Sequence, residues 1–596
     1  MGRHTYDFGV IGNCAFTAHV GTDTNIAWMC MPRFDSSFLF GSMLDSKKGG
    51  EFTIKPENEK YHTKQYYIEN TNVLCTEVDD HKCGYRITDF APRFEQYDRY
   101  YRPLMLIRKI EPLYGSPRVK VVCKPVYEYG STELTPSMGS NHIRFLGLDS
   151  HVRLTTNFSL NYIIQDEFFI LNETKYLVFT FGPPLEAPVA STSETFLNQT
   201  IQYWRKWVKS TSIGNLYQKE MIRSALALKI HQFEDTGAII ASCTTSLPES
   251  DGSTRNWDYR FCWMRDTFYT LNAFSSIGHF EELEQYFNYI LNITLQENDR
   301  LQPLYGLSGE RKVVEKTLDL VGYLDRNEPV RIGNDAYTHI QNDVYGQVLV
   351  SLLPLFVDNR FNVQERIESS TLINRMLDMI EKTIDEPDAG LWEFRNLSQH
   401  HTYTYLFHWA GACAAIKIAR EFGDHDMGHK AVKLRDKATQ KINSAYVTSK
   451  QGYAQAIGVE RMDASTLQLI MMNYLDNNSQ QAKDHLKALE QELRGHNGLF
   501  YRYRHTDDFG EPETTFLICG FWYVEALTCV NRIDEAIETL EHLLGYSNHL
   551  DLLSEDVSEN DGSMWGNFPQ AYSHVGLINA VKRISRKLDY PNFLEL

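Results

Sequence analysis

The period of hydrophobic positions changes once along the chain, near residue 200. Before that point, short runs such as Tyr176-Leu-Val-Phe-Thr-Phe181 ahead of Gly182-Pro-Pro184, and Val119 to Tyr129 ending at Gly130, read as strands punctuated by turn residues. An all-β unit, a sandwich, is expected over 1–200. Beyond it, Ile222, Leu226, Ile230 and Phe233 fall on one helical stripe, as do Leu283, Phe287 and Leu291, and later Ile533, Ile537, Leu540 and Leu544. The stretch from about 197 to 215, with Trp204 and Trp207, reads as the joining helix, placed at 201–215, and 216–596 as a second, helical unit. Long polar and aromatic loops separate the helices at about 244–266, 301–343, 385–405, 500–516 and 551–574. Loops of that length inside a compact unit are usually functional. Helix pairs joined in this way predict a toroid whose loops converge at one mouth, and the lack of a motif repeating at fixed period disfavours a solenoid.

Composition narrows the partners. At 596 residues the chain exceeds one ordinary core, and 13% aromatic residues with 42% hydrophobic describe a globular protein rich in rings. The formal charge of −18, unbroken by any Lys/Arg cluster, excludes nucleic acid and anionic membrane as natural partners and favours a neutral small molecule. The ten cysteines are scattered without a C-x-x-C pair and read as reduced, buried thiols. The start, Met-Gly-Arg-His-Thr-Tyr-Asp, carries no apolar secretory run, and no stretch approaches the ~18 residues of a membrane span, so a cytoplasmic location is expected. No metal or cofactor motif is found, and no G-x-S-x-G.

Carboxylates in aromatic loops remain as the candidate chemistry. Cleaving an acetal between sugars needs one carboxylic acid to protonate the leaving oxygen and one carboxylate to activate water or attack carbon. In Asp388-Ala-Gly-Leu-Trp-Glu-Phe-Arg395, Glu393 lies between Trp392 and Phe394, surroundings that suit an acid, although a Glu paired with Arg395 is the plainer reading of that segment alone. In Asp551-Leu-Leu-Ser-Glu-Asp-Val557, Glu555 and Asp556 precede a loop containing Trp565, and an acidic pair there is equally compatible with a solvated face. The segment Arg255-Asn-Trp-Asp-Tyr-Arg-Phe-Cys-Trp-Met-Arg-Asp266 alternates rings with hydrogen-bonding groups, so its rings can pack on pyranose C–H faces while Arg265 and Asp266 grip hydroxyls. Asp266 serves equally well as a helix cap.

Taken together these segments resemble glycoside hydrolase family 15, the glucoamylase and trehalase family, in its two-domain prokaryotic form. The resemblance runs through Ile11-Gly-Asn13, Ile26-Ala-Trp-Met-Cys-Met-Pro-Arg-Phe-Asp-Ser36, Thr244-Thr-Ser-Leu-Pro-Glu249, Pro329-Val-Arg-Ile-Gly-Asn334, Gln341-Asn-Asp-Val-Tyr-Gly346, Gly390-Leu-Trp-Glu393, Phe516-Leu-Ile-Cys-Gly-Phe-Trp522 and Gly566-Asn-Phe-Pro-Gln-Ala-Tyr-Ser-His-Val-Gly576. It implies an antiparallel β-sandwich followed by an (α/α)6 barrel. It further implies Glu393 as general acid and Glu555 as general base, with Asp556 and Glu559 as the fallback bases. Tyr259, Trp263, Arg265 and Asp266 would bind the terminal glucose, and Trp392, Asp343 and Trp565 join them as candidate substrate contacts. The implied reaction is inverting release of β-glucose from α-gluco-oligosaccharides, without a cofactor. A trehalase using the same carboxylates, an inverting disaccharide phosphorylase and a non-catalytic sugar-binding relative are the alternatives, and the linkage stays open among α-1,4, α-1,6 and α,α-1,1. One stretch departs from the family: His400-His-Thr-Tyr-Thr-Tyr405 places Tyr403 and Tyr405 where many members have His and Lys. A changed subsite is expected there.

Overall fold

The computed structural model describes residues 2–296, 300–360, 370–496 and 498–588. Over the first 181 residues the alternating pattern forms antiparallel sheet. An eight-stranded sheet runs in the order Thr135–Met138, His142–Leu146, Val152–Thr156, Lys175–Phe181, Met105–Tyr114, Gly84–Phe90, Leu74–Asp79, His62–Tyr67. Against it lie a three-stranded sheet containing Arg118–Lys124 and Glu51–Pro56, and a four-stranded sheet of Phe8–Gly12, Thr17–Gly21, Ile26–Cys30 and Phe38–Phe40. One ring from each sheet meets in the core, where Phe40 sits 5.5 Å from Phe52 and 5.4 Å from Phe179. Arg108 is fully buried beside them, paired with Asp89 at 2.7 Å and donating to the carbonyls of Phe52 and Thr24.

The four-stranded sheet is buried along nearly its whole length because it has a second neighbour, the helical unit. Trp28 Nε1 donates to the Cys243 carbonyl at 2.9 Å, and His19 Nε2 meets the Phe568 carbonyl at 2.9 Å. These bonds anchor the loops at 243 and 568, which are joined to each other by the Phe568 N–H donating to Thr244 Oγ1 at 3.0 Å. The joining helix spans Val189–Lys209, beginning well before the expected 201–215. Its first turns read Val-Ala-Ser-Thr-Ser, too small and polar to show a strong helical period, and Pro188 supplies a backbone that favours helix entry. Phe233 likewise leaves its predicted stripe, since the helix Gln218–His231 stops first and Phe233 pairs in a short strand.

The second unit is an (α/α)6 barrel. Its inner ring comprises Met264–Ile277, Asp343–Val357, Thr402–Phe422, the short run Ala464–Leu467 with Gln468–Met471, Leu517–Cys529 and Ala571–Lys587, each packed on the next and the last on the first. The outer helices are Gln218–His231, Phe280–Gln296, Ser370–Thr383, His425–Asn443, Gln480–Leu493 and Ile533–Leu544. Residues just ahead of the inner helices, including Trp263, Asp463, Phe516 and Gln570, gather at one end. At the tightest crossing, Asp343–Val357 meets Thr402–Phe422 backbone to backbone: a Cβ on Gly346 would lie on the Phe407 carbonyl, and one on Gly411 would come within 2.6 Å of Gly346 Cα. Gly346→Ala is therefore expected to destabilise the protein by about 1–3 kcal/mol through overpacking, read as a lowered denaturation midpoint.

Candidate functional site

Glu393 sits in a loop that the backbone holds in an unusual shape. Gly390 and Glu393 both have positive φ, 69° and 59°, and a Cβ on Gly390 would come within 2.6 Å of the His401 ring. A non-glycine residue in that region stores strain and is retained where the surroundings fix it. Three donors fix it here. Trp263 Nε1 reaches Glu393 Oε1 at 2.8 Å, Gln341 Nε2 at 3.2 Å and Arg265 Nη1 at 3.5 Å. All three act on Oε1, so Oε2 is the oxygen available to a ligand. The preceding Trp392 is itself fixed, its Nε1 donating to Asp463 Oδ2 at 2.7 Å.

Glu555 is almost fully buried at the foot of the strand Asp556–Val557. Its Oε2 accepts the Asn567 backbone N–H at 3.1 Å, and Gly566, φ 75°, allows that approach because a Cβ there would come within 2.5 Å of Glu555 Cβ. Burial and the neighbouring charge of Glu249 push the Glu555 carboxyl up to about 8. Asp556, buried beside it, is raised as well, by burial and by both neighbouring glutamates. Glu249, Glu555 and Asp556 have oxygens within 4.8 Å of one another, a spacing that a cation could bridge. Here the cation already present is Arg502, ion-paired with Glu249.

Two cavities share this centre. The inner one is lined by Tyr259, Trp263, Arg265, Asp266, Trp392, Glu393, Arg502, Trp522, Glu555 and Tyr572. The outer one is lined by Trp257, His339, Phe394, Arg395, Asp507, Asp508 and Phe509 among others, and meets the first at Tyr259, Trp392, Glu393 and Arg502. In the inner cavity Arg265 donates to the Leu391 carbonyl at 3.0 Å and to Asp266 Oδ1 at 3.2 Å, while burial, opposed by Arg265, pushes Asp266 up to about 6. Tyr259 and Trp263 pack edge to face at 5.3 Å. The outer cavity is walled by a loop latched in place, where Asp508 accepts the Arg395 backbone N–H at 2.6 Å and Asn396 Nδ2 at 2.8 Å. Arg255 pairs with Asp507 and donates to the Gly510 carbonyl at 2.8 Å. Rings for apolar faces, fixed polar groups for hydroxyls and two carboxylates from separate loops are the features that binding and hydrolysing a glycoside requires.

The sequence-predicted residues separate into two groups. Tyr259, Trp263, Arg265, Asp266, Trp392, Glu393 and Glu555 come together. Asp343 lies behind them, buried, bonded to Gln347 and pushed up to about 6 by burial, with Arg265 opposing. Trp565 is turned from both cavities, because its ring stacks on His4 of the N-terminal segment at 4.5 Å. Glu559 accepts Tyr501 Oη at 2.6 Å, away from both cavities. Tyr403 and Tyr405 do not line the mouth either: they open the inner helix Thr402–Phe422, with Tyr403 Oη 3.0 Å from Tyr269 Oη and Tyr405 Oη 2.6 Å from His400 Nδ1. The expected change of subsite at that stretch is therefore a change of barrel wall. Sequence reasoning missed Glu249, Arg502, Trp257, His339, Tyr572 and Phe509. Trp257 lay in the aromatic segment Arg255–Asp266, Glu249 and Tyr572 lay in stretches shared with the family, and Arg502 lay in the Tyr-Arg-Tyr-Arg-His run at 501–505, while His339 and Phe509 carried no such signal. All ten cysteines are free thiols, and among the described residues no helix is long and apolar enough to cross a membrane.

Known proteins share this arrangement. Residues 215–582 match the family described as Glycosyl hydrolases family 15, and residues 4–169 match one described as Trehalase-like, N-terminal. The chain belongs to glycoside hydrolase family 15 and is a glycoside hydrolase. It is similar to a trehalase of Thermoplasma volcanium, 31% identical over 97% of this chain and 93% of that protein. It is also similar to a trehalase of Mycobacterium tuberculosis, 30% identical over 97% and 89%. A bacterial glucoamylase solved with acarbose has the same fold, with a TM-score of 0.69 at 14% identity over 99% of this chain and 96% of that one.

Proposed function

We propose that this protein is an inverting α,α-trehalase, in place of the glucoamylase-type activity that the sequence motifs first suggested. The observation that carries the reading is the pair of similar cavities joined at Glu393, the outer one walled by the latched 507–510 loop. On this reading one glucosyl unit sits in each compartment, with the scissile oxygen at the junction beside Glu393. A long glucan would need the outer wall open. The trehalase names of the relatives agree with this reading.

In the proposed mechanism Arg265 and Asp266 fix the inner glucose, with Trp263 and Trp392 against its ring. Glu393 protonates the bridging oxygen, and Glu555 takes a proton from water as the water attacks the anomeric carbon from the opposite face. The inner glucose leaves as the β anomer and the outer one as the α anomer. Proton NMR of the anomeric region during trehalose hydrolysis should therefore show α- and β-glucose appearing in equal amounts at the start. A retaining enzyme would release only the α anomer. Faster turnover of maltose or maltopentaose than of trehalose would return the reading to a glucoamylase.

The same mechanism gives the N-terminal segment a positioning role. His4 Nδ1 donates to the Met564 carbonyl at 2.8 Å, its Nε2 bonds Tyr323 Oη at 3.0 Å, and Tyr6 Oη donates to the Gly566 carbonyl at 2.9 Å. These contacts hold the hairpin that presents Glu555. His4→Ala is expected to lower kcat by ~10-fold or more while KM for trehalose stays near its starting value, because small displacements of a catalytic group are costly.

A further inference from the structure

We propose that the far end of the barrel carries a second ligand site, for a small neutral polyhydroxylated molecule such as a monosaccharide or polyol. Five inner helices run for between 13 and 21 residues, whereas the sixth ends at Met471 after one short 3-10 turn and one α-helical turn. The space left beyond its end is a cavity of about 260 Å³, bounded by Met471 and Met472 and by four neighbouring inner helices. That volume is near the lower bound of small-molecule sites, the size of a monosaccharide or polyol and no larger.

The chemistry of the wall sets the ligand class. Three carboxamides from three helices line it: Asn272, Gln468 and Asn579. Gln468 is 2% exposed and its Nε2 has no hydrogen-bond partner, so a buried donor stands ready for a ligand oxygen. The one carboxylate in the wall, Glu525, is answered by Arg583 Nε at 2.8 Å, so the cavity has no net charge with which to select an ion. Phe268 and the methionines add apolar surface. Amides for hydroxyls, an apolar wall for C–H faces and internal neutrality describe a site for a neutral sugar or polyol.

None of these residues lines either cavity at the mouth. The two ends are nevertheless in contact through Tyr269, which lines the far cavity and packs 5.6 Å from Trp522 and 5.4 Å from Tyr572, both in the inner compartment. A ligand at the far end thus presses on the floor of the hydrolytic site, and the proposal stands whether or not the substrate is trehalose.

The test uses the full-length protein with 13C-methyl methionine, titrated separately with glucose and glycerol. The Met471 and Met472 methyl resonances, assigned by Met→Leu exchange, are expected to shift saturably with at least one of the two. Asn272→Trp, at an exposed position where bulk can be accommodated, should abolish the shift, as should Gln468→Leu, while Asn272→Trp leaves trehalose hydrolysis in the absence of added glucose unchanged. Glu393→Gln should leave the shift in place. No saturable shift up to ~100 mM, where a site of ~1 mM Kd is filled, would overturn the proposal. So would a shift that survives Asn272→Trp or vanishes with Glu393→Gln.

Discussion

Glu555→Gln is expected to lower kcat on trehalose by about 10²–10⁴-fold with little change in KM, the contribution typical of a positioned general base. The substitution keeps shape and can still accept the Asn567 N–H bond, so binding survives; only the capacity to take a proton is lost. The pH dependence carries a second, independent signature. A base acts when ionised, so activity falls as pH drops through its pKa, and burial with the charge of Glu249 places that fall high, near the value of about 8 to which Glu555 is pushed. Asp556 beside it is raised as well, by burial and by the charges of Glu249 and Glu555, so the carboxyls titrate as a coupled set. Glu249→Gln removes a negative neighbour and frees Arg502 to act on Glu555; both changes favour the ionised base. The acidic limb of kcat/KM is expected to move to lower pH. Because the same change leaves buried Arg502 without its partner, at a cost of roughly 3–5 kcal/mol, the profile is measured at a temperature where the variant remains folded. An unmoved limb would detach Glu249 from the base.

What the sequence revealed of this architecture follows from which residues face water. The stripes at Ile222 to Ile230, Leu283 to Leu291 and Ile533 to Leu544 all belong to outer helices, which have one apolar face and one solvated face. The inner helices are covered over most of their surface, wholly so in Leu517–Cys529, and a helix buried all round has no stripe to read. The site divides in the same way. Tyr259, Trp263, Arg265 and Asp266 lie within one short segment, so their alternation of rings and polar groups is visible locally. Glu249 and Arg502 are 253 positions apart and His4 and Met564 are 560 apart, so their meetings exist only once the barrel has closed. Trp565 illustrates the converse error. An aromatic residue close to the base in sequence was a fair candidate for a sugar contact, but the N-terminal segment returns to cover it.

Glu393→Gln should be as damaging as Glu555→Gln on trehalose and far less so on an activated substrate, and that contrast separates an acid from a residue that merely shapes the pocket. Glucose is a poor leaving group unless its oxygen is protonated as the bond breaks, so loss of the acid costs about 10²–10⁴-fold in kcat. Fluoride departs from α-glucosyl fluoride without needing that proton. Hydrolysis of the fluoride by Glu393→Gln is therefore expected to stay within ~10-fold of the unmodified enzyme, whereas Glu555→Gln, which cannot activate water, should lose activity on both substrates. The surroundings of Glu393 make the comparison fair: glutamine's carbonyl oxygen can replace Oε1 as acceptor for Trp263 Nε1 and Gln341 Nε2, so the strained loop keeps its anchors. If Glu393→Gln lost both substrates equally, the residue would be holding the pocket's shape or its charge balance with Arg265, and the acid would have to be sought among the other carboxyls of the outer compartment.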